Sequence, residues 1–260
     1  MGQLDKKTAV ITGGGTGIGR AIAKRFHDEG AFVTIAGRRK EKLIETSKAI
    51  SPIGERILHV SADVTLEKDI KELLASAAEK MGGIHILVNN AGVMRFGQLG
   101  ETPVSDWDLM MMTNAWGPWR LMVHVLPYMK EAGGGSIINI SSIAGIKAFP
   151  GAGVYCASKA ALQILSQTAA MENAPNKIRV NCILPALVED TELAAPAVGE
   201  ENVVQFYEKL RPLHPMGRSG TPSDIAEAAL FFASEQSSYT TGALLNVDGG
   251  RHMATNRPEV

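Results

Sequence analysis

A tyrosine and a lysine stand four residues apart in the stretch V-Y-C-A-S-K-A, residues 154–160. Positions i and i+4 of a helix share a face, so the Tyr155 phenol and the Lys159 ammonium can converge on one point. Both groups titrate near pH ~10 in model peptides, and such pairs also occur by chance. The pair therefore has two interpretations: an incidental surface pair, or a proton donor tuned by a neighbouring cation.

A glycine-rich turn near the start of the chain reads T-G-G-G-T-G-I-G over residues 12–19. Glycines let the backbone approach a phosphate closely, and the N-terminus of the following helix offers free N–H groups to an anion. A tight turn without a ligand is the alternative. The position of the turn, after the first strand of an alternating strand–helix pattern, favours a dinucleotide site. A P-loop is excluded because no Gly-Lys-Ser/Thr follows.

Short apolar strands and amphipathic helices alternate along the whole chain. Several strands are near-continuous β-branched runs, which is typical of a parallel sheet covered on both faces. The pattern predicts an α/β, doubly wound Rossmann fold of about seven parallel strands, in a single domain over residues 1–260. The predicted strands are Thr8–Thr12, Phe32–Ala36, Arg56–Val60, His85–Asn89, Ser136–Ile140, Ile178–Leu184 and Ala243–Val247. The predicted helices are Gly17–Glu29, Glu67–Lys80, Ala115–Lys130, Val154–Met171 and Pro222–Ser234.

One long segment, Leu187–Met216, interrupts the alternation with prolines and irregular polar stretches. A long excursion of this kind in a compact domain is more often a lid or a binding loop than filler. We therefore predict a substrate loop or lid at 187–216.

Composition and charge exclude several classes of function. The 45% hydrophobic and 20% charged content is ordinary for a globular protein with a full core. The 26 basic and 27 acidic residues nearly cancel, which argues against a nucleic acid or a membrane surface as partner. No signal-peptide pattern and no apolar run near the ~20 residues of a membrane span is found. Two distant cysteines and six scattered histidines show no metal-ligand spacing, so we expect a cytoplasmic protein without a metal.

Motifs spread over nearly the whole chain resemble those of the short-chain dehydrogenase/reductase family, in particular its single-domain members similar to 3-oxoacyl-carrier-protein reductase. Each motif alone is weak, but their order and spacing together are very specific. They are the glycine turn, Asp63-Val64, N-N-A-G at 89–92, Asn114, Ser142, Y-x-x-x-K at 155–159, T-G at 241–242 and V-D-G-G at 247–250.

The resemblance implies a nicotinamide cofactor, a set of site residues and a homotetramer whose interface contains the helices Val154–Met171 and Ala115–Lys130. The implied catalytic residues are Asn114, Ser142, Tyr155 and Lys159. The implied cofactor-binding residues are Gly13, Gly15, Thr16, Gly17, Ile18, Gly19, Asp63, Val64, Asn90, Ala91, Gly92, Tyr155, Lys159, Pro185 and Val188. In P-A-L-V-E-D-T at 185–191, Ala186 replaces the family's glycine and Thr191 stands one place late, so we do not expect Thr191 to hold the carboxamide.

The chemistry of these residue types agrees with carbonyl reduction, which needs a hydride donor, a proton donor and a hydrogen bond to the substrate oxygen. Tyr155 can be the general acid if the Lys159 cation, together with an oxidised nicotinamide, lowers the pKa of the phenol. Ser142 can bind the oxygen. Ser141 is its rival, and the family spacing favours Ser142. Asn114 is implied to anchor a water that links Lys159 to solvent, with a helix cap as the alternative interpretation.

The end of the second strand favours NADP(H) over NAD(H). NAD-binding relatives usually carry an acidic residue there, whereas this chain has Gly37 followed by Arg38, Arg39 and Lys40. A guanidinium can hold a 2′-phosphate through two hydrogen bonds. The alternative is that R-R-K only begins a solvated helix. We predict Arg38 as the main contact and Arg39 as a weaker one.

The expected substrate pocket is mostly apolar, which favours a hydrophobic or medium-sized ketone or alcohol over a sugar. Its expected walls are Met94, Phe96, Ile143, Ala144, Leu187, Phe206 and Tyr207.

Two hypotheses from different classes follow. The leading one is an NADP(H)-dependent carbonyl reductase or alcohol dehydrogenase. A 3-oxoacyl carrier-protein reductase is one version of it, although Ala115–Lys130 offers only Arg120 and Lys130 as a landing patch for an acidic carrier. The other is a non-catalytic dinucleotide-binding sensor or interaction protein, which has no need of the complete Asn-Ser-Tyr-Lys set.

Overall fold

Buried strands organise the fold, which the computed structural model describes for residues 2–193 and 195–254. The strands are β1 (Thr8–Thr12), β2 (Phe32–Gly37), β3 (Ile57–Ser61), β4 (Ile86–Asn89), β5 (Gly135–Ile140), β6 (Ile178–Pro185) and β7 (Leu244–Val247). They form one sheet in the order 3-2-1-4-5-6-7 with parallel pairing throughout. The predicted doubly wound sheet is confirmed, and each strand end lies within one residue of its prediction. That residues 1–260 form a single domain stays a prediction.

Helices cover both faces of this sheet. They are α1 (Gly17–Asp28), α2 (Lys40–Ile50), α3 (Glu67–Met81), α4 (Val104–Met111), α5 (Gly117–Glu131), α6 (Gly153–Asn173), α7 (Ala195–Val198), α8 (Val203–Leu210) and α9 (Pro222–Ala233). Ile11 and Ile35 pack with α1, α2 and α9 on one face, whereas Val10 and Leu87 pack with α3, α5 and α6 on the other. This separation follows from the two-residue period of a strand, which points neighbouring side chains to opposite faces.

The sheet topology fixes where a ligand can bind. The strand order reverses between β1 and β4, which are hydrogen-bonded neighbours. In open α/β sheets, ligands bind at the carboxyl ends of the strands beside such a switch point. The glycine turn follows β1 and the N-N-A-G motif follows β4, so the fold brings these two motifs together.

The helix that follows β4 is longer than the sequence predicts and is wound irregularly. The segment Met112–Trp116 is a π-helix that joins α4 to α5 with right-handed helical backbone at both junctions. A π segment accommodates an extra residue within an α-helix and is frequent at functional sites. Asn114 lies at its centre and is fully buried.

Among the described residues, no helix is long and apolar enough to cross a membrane. The same ranges hold no group of three or more His, Cys, Asp or Glu side chains placed to bind a metal ion. Both cysteines are free thiols, Cys156 half-buried and Cys182 buried.

Candidate active site

A cavity of about 890 Å³ opens along the carboxyl ends of the strands. Every predicted cofactor-binding residue except Gly19 lines it, and so do Ser142, Tyr155 and Lys159. All seven expected substrate walls line it as well. The structure therefore brings the cofactor motifs, three of the four predicted catalytic residues and the substrate walls together in one cleft. Asn114 and Gly19 lie behind its surface.

The glycine turn requires glycine for two different reasons. Gly13 and Gly17 have φ angles of 64° and 51°, in the left-handed region that favours glycine. A Cβ added to Gly19 would lie 2.2 Å from the Gly13 carbonyl oxygen, so Gly19 lets α1 pack tightly on the turn. Gly19 therefore serves this packing and does not reach the cavity, unlike the direct cofactor contact that the sequence predicts.

The start of α1 fits the pyrophosphate of a dinucleotide. Thr16 caps the helix without a side-chain hydrogen bond to its first turn, and that turn contains no acidic residue. Thr16, Gly17 and Ile18 line the cavity. Free N–H groups and the positive end of a helix dipole form a ready anion site, so these residues fit a nicotinamide dinucleotide.

The N-N-A-G motif holds the glycine turn in place. The Asn90 side-chain amide donates to the carbonyls of Thr12 at 2.9 Å and Gly13 at 3.2 Å. The Thr12 hydroxyl accepts from the N–H groups of Asn90 at 3.0 Å and Ala91 at 3.1 Å. The Asn90 side chain thus joins the end of β4 to the end of β1 and to the glycine turn.

Two arginines stand at the end of β2 with different partners. Arg39 forms an ion pair with Glu192 of the 187–216 segment, which lowers the pKa of that carboxyl. Glu192 also accepts from the Thr16 hydroxyl at 3.4 Å. Arg38 lines the cavity and has no carboxylate within 4.0 Å in the part of the chain that the structure describes. Arg38 therefore keeps a guanidinium without a carboxylate partner among the described residues, at the cavity surface beside the end of β2.

Tyr155 and Lys159 are almost completely buried on one face of α6, exposing 6% and 4% of their surfaces. The Lys159 Nζ atom donates to the Ile140 carbonyl at 3.0 Å and lies 5.8 Å from the centroid of the Tyr155 ring. Burial raises the pKa of Tyr155 to about 12, an effect that the Ser142 hydroxyl opposes, and burial lowers the pKa of Lys159 to about 8.

That Lys159 and an oxidised nicotinamide together lower the pKa of Tyr155 stays a prediction, and burial acts on this pKa in the opposite direction. Desolvation penalises both charged forms, the phenolate and the ammonium. The consequence for chemistry is direct, because Tyr155 is held as a protonated phenol, which is the state required of a proton donor to a carbonyl.

The two adjacent serines have different surroundings. The Ser141 hydroxyl donates to the Lys159 carbonyl at 3.1 Å and accepts from the Gln163 amide at 3.0 Å. Gln163 also donates to the Ser142 carbonyl at 2.9 Å, so these bonds brace the end of β5 against α6. The Ser142 hydroxyl accepts from Ala144 N at 3.1 Å, makes only a long contact of 3.5 Å to the Pro185 carbonyl, and interacts with the Tyr155 phenol, where it opposes the rise in pKa. This geometry favours Ser142 over Ser141 as the residue that can bind a substrate oxygen.

Asn114 holds the segment after N-N-A-G against the π-helix. Its Oδ1 atom accepts from Val93 N at 2.9 Å, and its Nδ2 atom donates to Val93 O at 2.8 Å and to the Ser158 hydroxyl at 3.0 Å. The helix-cap interpretation is wrong, because Asn114 lies within a continuous helix. Its bonds fix the residue next to Lys159, whereas a water relay stays a prediction.

Residues of the 187–216 segment line the cavity, among them Phe206 and Tyr207 of α8, whereas a role of this segment as a substrate loop or lid stays a prediction. The Phe206 ring lies 6.2 Å from that of Phe96, and the Tyr207 hydroxyl donates to the Val188 carbonyl at 3.2 Å. Thr191 donates to the same carbonyl at 3.0 Å, which directs its hydroxyl into its own loop.

The cavity-lining residues that sequence reasoning missed on this side include Arg95, Phe149, His214 and Arg251. Only Arg95 had a usable signal, since its neighbours Met94 and Phe96 were both expected there. The His214 Nδ1 atom contacts the Leu210 carbonyl at 3.2 Å, and its buried Nε2 atom has no hydrogen-bond partner among the described residues. Phe149, His214 and Arg251 lie in segments that are distant in sequence from the recognised motifs, so no local pattern indicates that they line the cavity.

Comparisons with known proteins agree with the fold and the site. A family model described as Enoyl-(Acyl carrier protein) reductase matches residues 13–252. The 3-oxoacyl-(acyl-carrier-protein) reductase FabG of Thermotoga maritima is 36% identical over 250 residues, covering 95% of this chain and 98% of the relative. The 2,5-dichloro-2,5-cyclohexadiene-1,4-diol dehydrogenase LinX of Sphingobium indicum is 37% identical, covering 95% of this chain and 97% of the relative.

A solved structure shows the same architecture. The crystal structure of a short-chain type dehydrogenase/reductase from Mycobacterium marinum has a TM-score of 0.89 and 32% identity, covering 96% of each chain. The glycine turn, the parallel sheet and the serine–tyrosine–lysine cavity described above fit this assignment. The chain therefore belongs to the short-chain dehydrogenase/reductase family, whose members bind a nicotinamide dinucleotide, and it is an oxidoreductase that acts on alcohol and carbonyl groups.

Proposed function

We propose that this protein is an NADP(H)-dependent oxidoreductase that interconverts a ketone and a secondary alcohol, with Tyr155 as general acid and base. One observation carries the proposal: a buried, protonated phenol shares a cavity with Ser142, Lys159 and the uncapped start of α1. Proton donor, oxygen ligand and dinucleotide site are the three parts that carbonyl reduction needs.

In the proposed reduction, a bound nicotinamide supplies the hydride. Ser142 donates a hydrogen bond to the substrate oxygen and holds it beside the phenol. Tyr155 gives its proton to that oxygen as negative charge develops there. Lys159, whose pKa is lowered to about 8, stabilises the phenolate left behind and can return a proton to it. Asn114 holds the helix turn that carries Lys159 through its bond to Ser158.

The activity is tested by following absorbance at 340 nm with NADPH and with NADH across a panel of ketones. We expect oxidation of NADPH with at least one apolar ketone. The non-catalytic sensor on the same fold gives a different result, namely tight binding of NADPH without turnover of any substrate. The second outcome would overturn the proposed activity.

The preference for NADP(H) is supported by the missing carboxylate at the end of β2 and by the unpaired Arg38. Arg38→Glu removes a cation and places a carboxylate beside the 2′-phosphate. We expect the KM for NADPH to rise about tenfold or more, with a much smaller change in the KM for NADH. Steady-state kinetics with both cofactors measures the two effects.

Arg39→Glu is the matched control, because its guanidinium is engaged by Glu192 and lies one residue away. We expect it to raise the KM for NADPH less than Arg38→Glu does. Equal effects of Arg38→Glu on NADPH and NADH would refute the assignment of the phosphate contact.

The proposed assembly is a homotetramer built on α5 and α6. Large apolar side chains are exposed on these helices, including Trp119 at 40%, Ile164 at 64% and Met171 at 81%. Burial of such groups between subunits is favourable. Light scattering during size-exclusion chromatography is expected to give four times the mass of the chain, and a monomer would contradict the assembly.

A further inference from the structure

The arginines of this chain divide sharply by whether they are paired. Across residues 2–193 and 195–254, six arginines form ion pairs with carboxylates: Arg20, Arg25, Arg39, Arg120, Arg211 and Arg218. Two more, Arg56 and Arg179, each donate to at least two backbone carbonyls. The remaining three, Arg38, Arg95 and Arg251, have no carboxylate within 4.0 Å in these ranges, and all three line the cavity.

Arg38 stands at the cofactor end, but Arg95 and Arg251 belong to the substrate end. Arg95 follows the N-N-A-G motif, and its Nη1 atom donates to the Met94 carbonyl at 2.9 Å. The Arg251 guanidinium lies over the Phe149 ring, 5.9 Å from its centroid. Met94 and Phe149 both pack against the apolar cluster that contains Tyr155. The two cations are thus attached to the apolar walls that surround the proposed proton donor.

We propose that the substrate of this enzyme is an anion, a ketone or secondary alcohol whose apolar body ends in a carboxylate-type group bound by Arg95 and Arg251. This inference rests on the proposed function, and it names the substrate class of that same site. It sharpens the purely apolar substrate that the sequence suggests, since the walls remain apolar and only the far end of the ligand carries charge.

The carboxylates that line the cavity do not pair with Arg95 or Arg251 among the described residues. Of the carboxylates that line it, Glu192 is engaged by Arg39, and Asp63 accepts from Thr65 N at 2.9 Å and from the Thr65 hydroxyl at 2.8 Å. Glu200 is exposed and lies more than 4.0 Å from any basic group in the described chain. Neither cation at the substrate end is therefore neutralised by a residue of the described cavity. Half-buried guanidinium groups bind carboxylates through paired, charge-assisted hydrogen bonds.

The test compares matched pairs of ligands that differ only in charge. The pairs are 4-acetylbenzoate, levulinate and 6-oxoheptanoate, each with its uncharged primary amide as near-isostere. With the wild-type enzyme and NADPH, we expect kcat/KM for the acid to exceed that for its amide by roughly tenfold to a hundredfold in at least one pair. In Arg95→Gln and Arg251→Gln, the ratio of acid to amide is expected to fall by about tenfold or more.

Lys80→Gln is the control for net charge. Lys80 is exposed in the last turn of α3 and does not line the cavity, and we expect its substitution to leave the ratio unchanged. The proposal is overturned if no pair shows a preference for the acid, or if the preference survives both arginine substitutions.

A binding measurement separates this proposal from the proposed activity. Calorimetric titration with 4-isopropylbenzoate and its amide, which carry no reducible ketone, reports the anion site directly. Acid-selective binding that both arginine variants lose, without reduction of any ketone, would support the anion site and refute the reductase activity. Reduction of the amides with no selectivity for acids in either assay would support the activity and refute the anion site.

Discussion

Replacing Tyr155 with phenylalanine is expected to lower kcat by roughly 10²- to 10⁴-fold, because it removes the proposed proton donor and keeps the ring. The phenol is almost fully buried, and its pKa is raised to about 12, so it stays protonated throughout the neutral range. The ring packs in a cluster with Met110, Ala144 and Val154, which the phenylalanine can also fill. Steady-state turnover of a ketone with NADPH gives the loss.

The matched control is Tyr128→Phe, which removes a hydroxyl from a half-buried tyrosine on α5 outside the cavity. Its turnover is expected to stay close to that of the wild type. Binding of NADPH to Tyr155→Phe, followed by fluorescence, should remain within a few fold of the wild type. Wild-type turnover by Tyr155→Phe would eliminate the tyrosine as general acid.

Replacing Lys159 with methionine is expected to lower the activity of the enzyme without lowering its stability at neutral pH. The substitution removes the cation beside the phenol, and we expect kcat to fall by roughly 10²-fold or more, in the range of a general acid–base contribution. Stability at neutral pH is not expected to fall, since Lys159 is 4% exposed and its ammonium has one hydrogen-bond partner among the described residues, the Ile140 carbonyl. Burial lowers the pKa of this lysine from 10.5 to about 8, a penalty of roughly 3 kcal/mol on the charged form.

The sign of the pH dependence follows from this shift. Between about pH 8 and pH 10.5 the unfolded chain holds the lysine proton more strongly than the folded protein does, so wild-type stability rises with pH through this window. Below about pH 8 the penalty is present in full. Denaturant unfolding at about pH 7 and about pH 10 gives the free energy of unfolding of the wild type and of Lys159→Met. The difference between these two free energies is expected to change with pH. A variant that is less stable than the wild type by the same amount at both pH values would contradict this account.

Much of the fold was predictable because its signals are local. The apolar, largely β-branched runs of β4, β5 and β6 are typical of strands buried on both faces, and the glycine turn marks the passage from β1 to α1. The helix α9 begins at the predicted residue, Pro222, where Thr221 and Asp224 form a capping box in which Thr221 N donates to the Asp224 carboxylate at 2.7 Å. Short elements escaped prediction for the opposite reason. The helix α4 buries only Met110 of its eight residues, so no apolar stripe marks it.

The identity of the main site residues was predictable from the sequence. Their burial, their pKa values and the distant residues around them were less so. Tyr155, Lys159 and Ser142 were found through their spacing. The effect of burial on the pKa of Tyr155 was not foreseen, because desolvation depends on neighbours such as Met110 and Ala144 that spacing does not reveal. Arg251 and His214 reach the cavity from the C-terminal third of the chain, and only the tertiary structure places them there.

The π-wound segment Met112–Trp116 allows one continuous helix to meet two requirements, the hydrogen bonds of Asn114 and the packing of α5 against the sheet. Each residue turns an α-helix by about 100°, and a π turn absorbs one residue more than an α turn does. Deleting a residue there would give a regular helix but rotate α4 against α5. Either Asn114 would then leave Val93 and Ser158, or Leu121 and its neighbours would leave the core of the sheet. The register of the helix is therefore constrained as well as its side chains, and we expect a single-residue deletion inside it to destabilise the protein more than most substitutions do.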